Sequence, residues 1–87
     1  MSAYIKYSLI AKVYGKEGII VVDYFETCNY HKALEAFDDM LTEANANNYG
    51  FAGIFEVVLT KTKYDSNDKA LKSNYYKVRL NEEEGYL

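Results

Sequence analysis

A two-layer α+β sandwich, with a four-stranded, mainly antiparallel sheet and one helix on one face in the order ββαββ, is the fold class this sequence predicts. Three observations predict it. Residues 3–14 alternate with a period of two and run through a glycine-bounded break into a β-branched stretch, the pattern of a hairpin. From Tyr30 to Ala44 the apolar residues recur at steps of three and four, the period of an amphipathic helix. Alternation then resumes after Phe51 and is broken once by a polar cluster, as in a second hairpin. One helix can cover only one face of four strands, so the other face must meet water or a partner.

In the first strand Ala3, Ile5, Tyr7, Leu9, Ala11 and Val13 share the core face, while Tyr4, Lys6, Ser8, Ile10, Lys12 and Tyr14 point away from it. Gly15-Lys16-Glu17-Gly18 puts glycine where a tight connection needs a positive φ, and residues 19–26 form the second strand, with Ile20, Val22 and Tyr24 assigned to the core. Thr27-Cys28-Asn29 supplies capping side chains for a helix over roughly residues 29–46, which packs Leu34, Phe37, Met40 and Leu41 on the sheet. The asparagine-rich segment from Asn45 to Gly50 ends that helix, because asparagine and glycine accept the left-handed conformation. Residues 51–63 make the third strand, with Phe55, Val57 and Leu59 inward; Asp65-Ser66-Asn67-Asp68 is the turn. Residues 75–80 are a short closing strand with Tyr76, Val78 and Leu80 inward. Strand order is left open by the sequence.

The 87 residues form a single domain, with 81–87 a short acidic tail carrying Glu82, Glu83 and Glu84. A chain of this size hides only about 64% of its unfolded surface on folding. The single cysteine, Cys28, can form neither an internal disulfide nor a four-thiolate zinc site, so stability must come from packing or partners. No stretch is long and apolar enough to span a membrane and the N-terminus lacks the pattern of a signal peptide; a cytoplasmic location without membrane contact is expected.

Alternation leaves Ile10, Tyr14, Ile19, Val21, Phe25, Ile54 and Val58 on the face away from the helix, beside Tyr4, Lys6, Lys12, Tyr75, Lys77 and Arg79. Each large apolar side chain left in water forgoes about 1.5 to 3 kcal/mol, whereas a core this small supplies about 3 to 5 kcal/mol in all. The face is therefore expected to be an interface, for a homodimer centred on Ile10, Val21, Phe25 and Val58 or for a target protein. Tyrosines interleaved with cations also suit single-stranded nucleic acid, and a small ligand is a further alternative. Duplex DNA is disfavoured by a formal net charge of -3. On the outer helix face Glu35, Asp38, Asp39 and Glu43 form an acidic patch suited to a basic partner surface.

No catalytic, cofactor-binding or metal-binding residues are assigned. Cys28 and His31 could share the first turn of the helix, but no orienting group or further ligand follows at a recognisable spacing. Asp38 and Asp39 are adjacent on the helix and diverge by about 100°. Gly15 and Gly18 join two strands and lack the lysine, hydroxyl residue and helix of a phosphate loop.

In its size, in the usage of Tyr30-His31-Lys32 and Asn45-Ala46-Asn47-Asn48-Tyr49, and in a hairpin followed by Ala33-Leu34-Glu35-Ala36-Phe37, the whole chain resembles the small ββαββ proteins that bacteriophages encode against host defence, the anti-CRISPR proteins among them. The resemblance implies an inhibitor that occludes a host defence or nucleic-acid-handling complex by surface contact in the host cytoplasm.

Overall fold

The computed structural model describes residues 3–51 and 53–80, and the expected acidic tail, 81–87, lies outside them. Four strands, β1 (Tyr4–Gly15), β2 (Gly18–Thr27), β3 (Ile54–Tyr64) and β4 (Ala70–Leu80), and one helix, α1 (Tyr30–Asn45), follow in the expected order. The sheet is antiparallel throughout with the order β2-β1-β3-β4. β1 and β3 take the centre because theirs are the inward sets that can be buried completely: Leu9, Ala11, Val13, Phe55 and Val57 have essentially no exposure. Ala33, Phe37, Met40 and Ala44 seal this layer from the helix side at helical spacing.

Local chemistry sets the ends of α1. The Thr27 Oγ1 accepts the Asn29 N–H, and the Asn29 Oδ1 accepts the Lys32 N–H at 3.0 Å as N-cap. At the far end Asn48 N–H donates to the Glu43 carbonyl and Asn47 N–H to the Ala44 carbonyl, the Schellman pattern, with Asn47 left-handed at φ 57°. Gly50 and Gly53, both at positive φ, delay the third strand to Ile54 rather than Phe51. In the first hairpin Gly18 has a φ of 120°, the glycine conformation that the tight connection calls for.

Several expectations are corrected. In β2 the register slips: Ala11 faces Asp23 but Lys12 faces Val21, leaving Val22 as a bulge. That extra residue inverts the alternation beyond it. Phe25 pairs with Leu9 and lies on the helix side, not on the open face, while Tyr24 pairs with Ile10 on the open face, not in the core. β4 begins at Ala70 instead of Tyr75. Its polar first half has little strand propensity of its own, but it completes the hydrogen-bonding edge of β3, and Thr62 and Ser73 hydroxyls meet across the pair at 3.0 Å. Leu34 lies on the flank of the helix, outside the buried stripe, and Tyr76 is mostly exposed although its ring rests on Phe37 at 5.8 Å.

An 11-residue strand is about 36 Å long, while a 16-residue helix is about 24 Å. The sheet therefore outruns the helix. Tyr30 packs on Tyr7 near the start of α1 and Ala44 joins Val13 and Phe55 near its end, so the uncovered part is the one bearing Ile5, Lys61 to Tyr64 and Ala70 to Asn74. The molecule is elongated, 47 × 23 × 16 Å.

Candidate functional site

The open face is built by register. Across its middle Ile10 pairs with Val58, flanked by Tyr24 on β2 and Lys77 on β4. Towards the first turn Tyr14 lies between Ile19 and Ile54, and Lys12 between Val21 and Glu56. Of the expected interface residues, Ile10, Tyr14, Val21, Ile54 and Val58 share this face; Phe25 does not, for the reason given by the bulge. Ile10, Tyr14, Ile54 and Val58 are half-buried by their long neighbours, leaving Ile19 and Val21 as the well-exposed apolar groups of the set.

Sequence reasoning missed Glu56. On a face without a covering layer it is only 3% exposed, beneath Tyr14, Lys12 and Arg79. Its carboxylate accepts the Arg79 Nε–H at 2.9 Å and the Tyr14 hydroxyl at 3.1 Å, with the Lys12 Nζ 3.5 Å away. Burial pushes the Glu56 carboxyl up, but those two hydrogen bonds and the charges of Lys12 and Lys77 outweigh it and hold the group below the usual carboxylate range. Lys12 and Arg79 also flank the Tyr14 ring, about 6 Å from its centre. The available signal was a lone acid at an outward position of a central strand, between basic residues on both neighbouring strands.

A third ion pair, Lys6 Nζ to Glu26 at 2.9 Å, occupies the other end of the face, where Glu26 also accepts the Tyr24 hydroxyl. That hydrogen bond and the lysine together lower the Glu26 carboxyl. Tyr4 stacks on Tyr64 at 5.2 Å and donates to Asp68. Three of the face's cations are thus already held by its own acids.

The two sheet edges differ. β4 carries Lys72, Lys77 and Arg79 along its exposed length, the usual guard against strand addition. β2 has no lysine, arginine or proline, and presents Ile19, Ile20 and Val21 consecutively, exposed by 61%, 39% and 58%. Beside that edge runs a groove of about 370 Å³ between β2 and α1, lined by Asp23, Phe25, Lys32, Glu35, Asp39 and Met40 among others. Of the acidic patch, Glu35 and Asp39 therefore face this groove, with exposed Asp38 and half-buried Glu43 on the same helix. The Tyr49 hydroxyl donates to Asp23 at 2.8 Å; burial first, then that bond and the charges of Glu43 and Asp39, raise its pKa. This flank is electronegative.

Cys28 is exposed, just ahead of the N-cap, and His31 lies in the first turn with its ring against Tyr30 at 5.8 Å. Among the described residues no three His, Cys, Asp or Glu side chains converge on a point where a metal ion could be held, and no helix is long and apolar enough to cross a membrane. The chain matches no protein-family model, no curated protein and no solved structure.

Proposed function

We propose that this chain is a non-enzymatic protein-binding module that adds a strand of its target to the β2 edge. The observation that carries this reading is the contrast between edges: one is lysine-guarded along its length, and the other, from Gly18 to Val21 ahead of its bulge, has no charge and is β-branched on both faces. Backbone pairing would supply affinity, and the acids Glu35 and Asp39 beside the edge would select a target with basic side chains flanking the paired strand. A surface that handles nucleic acid has that chemistry. With the resemblance to phage anti-defence proteins, it supports an inhibitor that works by occlusion inside the host cell. A second copy of the chain is the competing occupant, pairing β2 with β2 about a two-fold axis, with Val21 on the paired strand and Ile10 and Val58 one and two strands behind it.

The test uses the tagged protein to capture binding partners from bacterial lysate, beside the variants Val21→Lys and Lys77→Gln. A partner retained by the parent and by Lys77→Gln but lost with Val21→Lys supports the reading. Equal retention by all three removes the β2 edge from it. Light scattering at tens of micromolar separates target from self: a 10.0 kDa particle excludes the dimer.

A further inference from the structure

Charge in this molecule is segregated by the fold. The helix carries Glu35, Asp38, Asp39 and Glu43 against Lys32, whereas β3, β4 and their turn carry Lys61, Lys63, Lys69, Lys72, Lys77 and Arg79 against Glu56, Asp65 and Asp68. An overall excess of acid hides a basic end. Where the sheet outruns α1, its helix-side surface holds a cleft of about 180 Å³ lined by Ile5, Lys61, Lys63, Lys72 and Asn74.

Register makes that cleft unusual. Lys63 lies directly opposite Lys72, and Lys61, two residues along the same face, lies opposite Asn74. Like charges facing each other across an antiparallel pair destabilise it. Among the described residues none of the three lysine side chains has a hydrogen bond or ion pair, in contrast to Lys6 and Lys12 on the open face. The nearby acids are committed elsewhere: Asp65 accepts the N–H groups of Asn67 and Lys69 to close the turn, and Asp68 accepts the Tyr4 hydroxyl. Among the described residues no ring lines the cleft itself, but the strands carry aromatic residues next along the same face. Tyr76 follows Asn74 on the same face of β4 and is 61% exposed, and the exposed Tyr30 packs on Tyr7, the strand partner of Lys61.

From this we infer that the projecting end of the sheet, on its helix side, binds single-stranded nucleic acid. Lys61, Lys63 and Lys72 take backbone phosphates and Tyr76 offers a stacking surface to a base. Spaced phosphates match lysines two residues apart on one strand and across on the next, and a flat ring beside a cationic groove is how single strands are held without reading their sequence. An acidic polypeptide would satisfy the lysines but would leave the rings unused. The site is distinct from the β2 edge, at the opposite side of the sheet, so either can fail alone.

The probe is a fluorescein-labelled 15-nucleotide dT or U oligomer, followed by anisotropy from 20 to 200 mM salt. Binding is expected to weaken with a log–log slope of about -2, from three single-strand phosphate contacts. Lys61→Gln/Lys63→Gln/Lys72→Gln, exposed substitutions checked for folding by circular dichroism, should abolish binding and the matching arginine variant should restore it. Tyr76→Ala should weaken it at least five-fold. Lys77→Gln, on the other face, should change little. No binding of either oligomer at 20 mM salt, equal competition by polyglutamate of the same charge, or tighter binding of a duplex of the same length would each overturn the inference.

Discussion

Glu56→Gln tests whether the open face is organised by its buried carboxylate. Glutamine keeps the shape but removes the charge that Arg79, Lys12 and Tyr14 converge on. The Arg79 bond would merit about 1.5 to 3 kcal/mol as a charge-assisted contact, but its side chain is 46% exposed and water discounts it to about 1 kcal/mol. Lys12, at 3.5 Å and 29% exposed, adds about 0.5 kcal/mol, and the weakened Tyr14 bond about 0.5 more. The loss at pH 7 should be about 2 kcal/mol, or roughly 10 °C in Tm for a domain of this size. Because the folded carboxyl titrates below its ordinary value of 4.5, its contribution is complete above that pH and is lost as pH falls through the folded value. Urea unfolding of both proteins at pH 7 and near pH 3 reads this directly: the gap should be about 2 kcal/mol at neutral pH and shrink on acidification. Equal stability at pH 7, or a gap that widens in acid, would refute the reasoning.

Two further substitutions test the frame. Leu9→Ala, in the centre of β1 with no exposed surface, should cost about 3 kcal/mol in urea unfolding; a cost under 1 kcal/mol would mean that β1 is not central. Asn29→Ala removes the N-cap acceptor of the Lys32 N–H and should cost about 1 kcal/mol, with exchange of the first-turn amides speeding up relative to those of β1 and β3.

The part of the fold legible in the amino-acid sequence was what a local period or a local cap sets where no bulge intervenes. The ββαββ order, the helix from Asn29 onward, its termination within the Asn45 to Gly50 segment, the Gly18 turn and the inward sets of β1 and β3 follow from backbone preferences and from one-sided burial, which act over a few residues. The candidate surfaces were legible only in part. Ile10, Val21 and Val58 lie on the open face because alternation holds as far as they go, but Phe25 changes face because one unpaired residue, Val22, inverts the pattern, and a bulge leaves no periodic trace. Residues 70–74 became strand because β3 had an edge to complete, a demand placed by a neighbour and invisible in their own propensity. Tertiary structure alone decided the pairings that give the molecule its chemistry. Setting Glu56 between Lys12 and Arg79 ties up two cations of one face, while setting Lys63 against Lys72 leaves the other end without a paired acid among the described residues, because charges interact through space and the register, not their separation in the chain, sets their distance.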